Sequence, residues 1–143
     1  MNKTLKTVAI AHPGARQESL RAFLFAVRGI ELVGVASGAL TGWQMVLALL
    51  PELVIIEGGL PEEEVSLLLR YLNRNTPIFS LVFASTSQQE RAAPAAGVSA
   101  VVTGNISFDE FGQALSQMVA TRQVAALKKH NEISLPSGGD LKP

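Results

Sequence analysis

The residue of this sequence best placed to do chemistry is Glu57, a lone carboxylate at the end of an apolar run. It follows the four aliphatic residues 53–56, LVII, and is followed by the turn residues GGLP. Branched aliphatic residues bounded by turn residues predict a strand buried on both faces, so Glu57 is expected at the carboxyl end of that strand. Open α/β sheets bind their ligands at this edge, where a carboxylate could react, bind a partner group, or be a partly solvated charge without a task.

His12 is a second polar residue expected at the same edge of the sheet. It follows the apolar residues 8–11, VAIA, and precedes a Pro-Gly turn. A lone histidine in such a turn is typically exposed, and we favour that interpretation. The alternative is that His12 pairs with Glu57, because an imidazolium can offset the charge of a neighbouring carboxylate.

No other combination of residues indicates catalysis or a bound cofactor. The chain has no cysteine, which excludes disulfides, thiolate metal ligands and a cysteine nucleophile. The three consecutive glutamates at 62–64 point to different sides of a helix and fit a charged helix start better than a set of catalytic acids. Neither a nucleophile with its base nor a phosphate-binding loop is present, so we predict that the protein is not an enzyme and holds no metal or cofactor.

The composition is typical of a soluble globular domain. The 143 residues are 48% hydrophobic and include 12 basic and 12 acidic residues, so the formal net charge is zero. This balance predicts no binding to nucleic acid, which depends on clustered Lys and Arg. No run has the length of a signal-peptide core or a membrane span, so we predict a cytoplasmic protein without membrane contact.

The chain alternates short apolar runs with segments of helical spacing. Strands are predicted over residues 8–11, 30–36, 53–57, 78–84 and 100–103. A helix is predicted after each strand, and the fourth helix, over residues 87–96, contains Pro94 and is expected to be short or kinked. Five strand–helix units in sequence favour right-handed crossovers and a parallel sheet covered on both faces, which is a doubly wound α/β fold.

Two helix starts have clear sequence signals. Pro61 is predicted at the first position of the third helix, ahead of the glutamates. Ser107 and Glu110 form a predicted capping box for the last helix, which is expected to bury Phe108 and the apolar residues at 111, 115 and 118. One domain is therefore predicted over residues 1–128, with a flexible Pro/Gly/Ser-rich tail over residues 129–143.

The stretch from about Lys6 to Val119 resembles a response-regulator receiver domain, especially those that precede helix-turn-helix output domains. The resemblance is carried, in order and spacing, by ESLRAFL, PELVIIEGGLP, TPI, AGVSAVV and ISFDEFGQAL. It implies a flavodoxin-like sheet of five parallel strands in the order 2-1-3-4-5. It also implies a site at the switch point between strands one and three.

The same resemblance implies which residues stand at the family's functional positions. Glu57 takes the place of the aspartate that accepts a phosphoryl group from a sensor kinase. The remaining positions are the two acidic Mg²⁺ ligands, the Ser/Thr after strand four, the lysine after strand five and the aromatic switch residue, which correspond here to Ala11, His12, Ala84, Gly104 and Val101 respectively. Because one carboxylate without the acidic pair and the lysine cannot neutralise a transferring phosphoryl group, we predict an inactive phosphoacceptor.

We therefore interpret the chain as a stand-alone pseudo-receiver: a phosphorylation-independent interaction module in two-component or phosphorelay-type signal transduction or in transcriptional regulation. Glu57 is then more simply a carboxylate without a task than a fixed imitation of the phosphorylated state. The predicted partner is a signalling protein or a second copy, bound through the last helix and its apolar continuation at Val119, Val124 and Leu127. The alternative is a small-ligand sensor that binds a metabolite or nucleotide in the crevice at the strand ends.

Overall fold

The computed structural model describes residues 4–84, 100–103, 106–118 and 120. The chain divides into two compact units, Met1–Gly112 and Gln113–Pro143. The first unit contains the sheet and most of the described helices, and in the second unit residues 113–118 and 120 are helical. The predicted helix with Pro94, the predicted domain end at residue 128 and the predicted tail lie outside the described residues.

Strands and helices alternate along the first unit as the sequence predicts. The elements are β1 (Leu5–Ile10), α1 (Ala15–Ala26), β2 (Ile30–Ala36), α2 (Ala39–Leu49), β3 (Leu53–Glu57), α3 (Glu62–Asn75), β4 (Phe79–Ala84) and β5 (Ala100–Thr103). The last helix covers residues 108–118. Pro61 differs from its prediction, since its ψ of 134° makes it the residue before the helix and not the first helical residue.

The five strands form one parallel sheet in the order β2-β1-β3-β4-β5, which confirms the predicted doubly wound α/β fold. β3 lies between β1 and β4, with Ile10 paired to Ile56 and Glu57 paired to Phe83. The carboxyl ends of these three strands therefore meet at one edge. β2 pairs with one side of β1 and β3 with the other, so the direction in which strands are added to the sheet reverses at β1. Other open α/β sheets bind their ligands at such a reversal point.

The core forms on both faces of β3, every residue of which is buried. One face is covered by Val46 of α2 and by Leu68, Leu69 and Leu72 of α3. These side chains pack in one cluster with Ile56 of β3 and its neighbours. These positions repeat with the 3.6-residue period of a helix, which explains why α3 forms with one apolar side. Fully burying a leucine contributes about 1.5–3 kcal/mol, so this helix is firmly held on the sheet.

The start of the last helix departs from the sequence prediction at one aromatic residue. Phe111 is fully buried, with its ring stacked on Phe83 at 5.5 Å between centroids. The prediction that Phe108 is buried is wrong, because 54% of it is exposed and its ring lies flat against Phe23 at 4.8 Å. Phe108 stands in the first turn of the helix, where it covers the outer side of Phe23 instead of entering the core.

Candidate functional site

The side chain of Glu57 is buried at the end of β3, and only 6% of the residue is exposed. The chain after it is fixed to β4, because the N–H of Gly58 donates to the carbonyl oxygen of Phe83 at 2.8 Å. The expectation of a partly solvated carboxylate is therefore wrong. A buried carboxylate needs compensating charge or hydrogen bonds, so its surroundings decide what it can do.

Arg16 of α1 supplies the cation beside this carboxylate. Its Nη1 lies 3.3 Å from Oε2 of Glu57, within hydrogen-bonding and ion-pair distance. The same oxygen accepts the backbone N–H of Gly59 at 2.9 Å. A guanidinium and a backbone amide thus both donate to one oxygen of this carboxylate, and hydrogen bonds of this kind offset part of the cost of burying it.

Gly59 is a glycine because the ion pair leaves no room for a side chain. A Cβ built on Gly59 would overlap Nη1 of Arg16, and it would lie 2.9 Å from Oε1 and 3.1 Å from Oε2 of Glu57. The missing side chain of Gly59 therefore leaves the space in which the guanidinium reaches the carboxylate.

Arg16 reaches Glu57 because of how α1 begins. Gly14 has φ of 125°, a backbone angle that favours glycine, and its carbonyl accepts the N–H of Glu18 as the helix starts. Arg16 then lies in the first turn, where the positive end of the helix dipole disfavours a cation. This unfavourable position is the one sequence signal that could have identified Arg16, and the sequence analysis missed it.

Ala11 and His12, which the resemblance places at the acidic Mg²⁺-ligand positions, have separate structural surroundings. Ala11 is fully buried, its N–H donates to Ala36, and its carbonyl accepts the side-chain amide of Gln17 at 2.9 Å. His12 lies exposed in the turn after β1. His12 is thus exposed, as the favoured interpretation predicts. Within residues 4–84 the ion pair at Glu57 is formed by Arg16, and the alternative pairing of His12 with this carboxylate is not observed.

The remaining predicted positions are apolar or lie outside the described residues. Ala84 is buried at the end of β4, paired with Thr103 of β5. Val101 is partly buried and packs against the core, with no aromatic ring to rotate. Gly104 lies outside the described residues.

The described residues at this edge of the sheet do not fit a magnesium ion. The site provides one carboxylate, whose Oε2 is already engaged by a guanidinium and a backbone N–H, whereas Mg²⁺ requires an octahedral set of oxygen ligands. Across the described parts of the chain, no group of three or more His, Asp or Glu residues could hold a metal ion. The arrangement can hold a buried anion in place, but it does not present an open carboxylate to a substrate.

A crevice of about 420 Å³ opens between α1 and the strand ends. It is lined by Ala15, Arg16, Ser19, Leu20, Phe23, Glu57 and Phe83. The crevice predicted from the sequence was lined instead by Ala11, His12, Glu57, Ala84 and Gly104, so among the described residues the two sets share Glu57 alone.

No helix within the described ranges is both long and apolar enough to cross a membrane.

Solved structures of receiver domains are similar to this chain in fold. The receiver domain of the response regulator NarL from Mycobacterium tuberculosis superposes with a TM-score of 0.67 at 14% identity, covering 80% of this chain and 95% of that one. A LuxR-family two-component response regulator from Aurantimonas sp. SI85-9A1 gives 0.68 at 20% identity, over 83% and 87% of the two chains. The isolated receiver domain of RcsB from Salmonella enterica serovar Typhimurium gives 0.65 at 15% identity, over 80% and 87%.

No family model and no curated protein matches the sequence. The comparison with known proteins therefore rests on the similarity to solved structures. This similarity shows that the chain has the receiver fold. The predicted strand order and the predicted likeness to receivers are both confirmed at the level of fold.

Proposed function

We propose that this protein is a pseudo-receiver that acts by protein–protein interaction, without phosphorylation, in two-component-type signal transduction or in transcriptional regulation. The receiver fold supports the signalling context. The observation that carries the proposal is the ion pair between Arg16 and Glu57 at the phosphoacceptor position.

Phosphoryl transfer to a carboxylate requires that the carboxylate be open to the donor and that cations neutralise the charge of the transferring group. Here the cation is Arg16, and it neutralises the carboxylate itself at 3.3 Å. At the end of β1 the carbonyl oxygen of buried Ala11 already accepts the side-chain amide of Gln17, and neither Ala11 nor His12 has a carboxylate to offer a metal. In this proposal the ion pair between Arg16 and Glu57 occupies the end of β3, where an active receiver binds a metal ion and a phosphoryl group.

The proposal also names a partner class. We expect a signalling protein, or alternatively a second copy, to bind through the last helix and its apolar continuation. The balanced charge of the chain, with 12 basic and 12 acidic residues, argues against a nucleic-acid partner. The continuation beyond residue 120 lies outside the described residues.

A direct experiment is treatment of the full chain with a small phosphodonor and Mg²⁺, followed by intact-protein mass spectrometry. We expect no adduct with the mass of a phosphoryl group, while a phosphorylatable receiver treated in parallel gains one. Glu57→Gln serves as the matched variant, since it removes the acceptor and keeps its size. An adduct present on the wild type and absent from Glu57→Gln would contradict the proposal.

A small-ligand sensor is the second candidate function, and the crevice of about 420 Å³ favours it. Phe23 and Phe83 give the crevice an aromatic wall, and Arg16 gives it a charged rim. A thermal-shift screen with nucleotides and flavins separates this candidate from the interaction module, which needs no small ligand.

A further inference from the structure

α2 leaves an apolar stripe on the surface of the first unit. Leu40, Leu47 and Leu50 are large hydrophobic residues that are mostly exposed, and Trp43 beside them is partly buried. Leu40, Trp43 and Leu47 follow one another at intervals of three and four positions, which places them on one side of α2, and Leu50, three positions further on, is the residue that caps the end of the helix. The alternating three- and four-residue spacing is that of the apolar positions in helices that pack against another helix.

The stripe continues onto α3. The ring of Trp43 lies against that of Tyr71 at 5.6 Å between centroids, and Leu67, one turn before Tyr71, is exposed as well. We call the surface formed by Leu40, Trp43, Leu47, Leu50, Leu67 and Tyr71 the α2–α3 face. A contiguous exposed apolar surface on a soluble domain commonly marks an interaction site.

The charges around the α2–α3 face indicate what covers it. α2 itself, ALTGWQMVLAL, has no charged residue. α3 starts with three glutamates at 62–64 and has its basic residues, Arg70 and Arg74, towards its end. Both helices run back from the carboxyl ends of strands in one parallel sheet, so they point in the same direction, and the face is acidic at one end and basic at the other.

From this arrangement we infer that a second copy of the chain docks on the α2–α3 face, related by a two-fold axis perpendicular to the two helices. The two uncharged α2 helices then pack antiparallel through their apolar stripes. The acidic start of each α3 lies towards the basic end of the other, whereas a parallel arrangement would bring glutamates together. A two-fold interface uses the same surface on both copies, which a face with opposite charges at its two ends allows.

This inference goes beyond the proposed function, because it assigns self-association to a surface other than the last helix. It leaves that helix and its continuation for an outside protein. It also does not depend on whether Glu57 can be phosphorylated.

The first test is the mass of the full chain, measured by light scattering and sedimentation over a range of concentrations. We expect a dimer for the wild type. Leu47→Glu should weaken dimerisation at least about tenfold, because it sets a carboxylate in the stripe on both sides of the axis. Phe25→Glu is the matched control: Phe25 is an exposed aromatic residue on α1, outside the α2–α3 face, and its replacement should leave the dimer intact.

The second test uses the charges and does not alter the apolar stripe. Replacing Glu63 and Glu64 by arginine should weaken the dimer, and so should replacing Arg70 and Arg74 by glutamate. Combining the two replacements should restore it, because the complementarity returns with opposite sign. Circular dichroism verifies that each variant is folded, which is expected since all six side chains substituted in the two tests are exposed.

Four results would overturn the inference. They are a monomeric wild type at every concentration, a dimer unaffected by Leu47→Glu, a combined charge variant that is not restored, and a dimer that is lost only when residues after Thr121 are removed. The last result would place self-association on the continuation of the last helix instead.

Discussion

Removing the cation from the buried carboxylate is the most direct perturbation of the site. In Arg16→Met the aliphatic part of the side chain is kept and the guanidinium is lost, while the N–H of Gly59 still donates to Glu57. At the observed 3.3 Å, two unit charges attract by roughly 1.3 kcal/mol in water and roughly 5 kcal/mol at the effective dielectric near a protein surface. Since 64% of the Arg16 side chain is exposed and 8% of that of Glu57, solvent screens one partner only.

We therefore expect a coupling of about 1–2 kcal/mol, above the range of exposed pairs and below that of fully buried ones. Removing a cation from the first turn of α1 relieves an unfavourable helix-dipole interaction of about 0.3–1 kcal/mol, so the single variant understates the loss. A double-mutant cycle with Glu57→Gln cancels that contribution, because it is common to both backgrounds.

Equilibrium unfolding in urea measures this cycle, and 1–2 kcal/mol corresponds to a shift of roughly 0.5–1 M in the midpoint. The matched control is Arg21→Met on the same helix. Arg21 lies 3.9 Å from Glu18, with both side chains at least half exposed, and its loss should cost at most about 0.5 kcal/mol. A cycle in which Arg16 and Glu57 couple by less than about 0.5 kcal/mol would refute the conclusion that this ion pair stabilises the buried anion.

Two further predictions concern other parts of the described structure. Gly59→Ala should destabilise the protein by about 1–3 kcal/mol, since the added Cβ would lie 2.9 Å from a carboxylate oxygen of Glu57. The midpoint of urea unfolding measures this change. An unchanged midpoint would contradict the packing described for this turn. The pKa of Glu110 is lowered by the backbone N–H of Ser107 and, to a smaller extent, by the hydroxyl of Ser107. The ionised carboxylate therefore stabilises the helix start at pH values above its unfolded pKa. This contribution is lost as the pH falls through the folded pKa. NMR titration should show a higher pKa for Glu110 in Ser107→Ala, and an unchanged midpoint would exclude the hydroxyl as a cause.

The elements were predictable because their signals are local. The run of aliphatic residues before Glu57 predicts a buried strand, and β3 is buried throughout. The capping box is equally local: Ser107 and Glu110 are three residues apart, and each backbone N–H donates to the side chain of the other at 3.0–3.1 Å. Patterns of this kind depend on neighbours within one or two turns, so a sequence is enough to identify them.

The position of Glu57 at the carboxyl end of β3 could be predicted from the sequence, but its contacts could not. That Glu57 stands at the acceptor position stays a prediction from the resemblance to receivers. Glu57 lies beside Phe83 of β4, and the ring of Phe108 lies against Phe23 of α1. Such contacts join residues far apart in the chain, so they could not be predicted from neighbouring residues.

The sequence by itself determined the order of the elements, the parallel sheet and the carboxylate at the end of β3. Only the tertiary structure decided which cation that carboxylate meets. Arg16 precedes Glu57 by 41 positions and reaches it because β1 lies beside β3, because Gly14 sets the direction in which α1 starts, and because Gly59 has no side chain in the way. His12 was the candidate that the sequence pattern suggested, but an ion pair depends on the direction of two side chains in space, and that direction is set by packing between elements far apart in the chain.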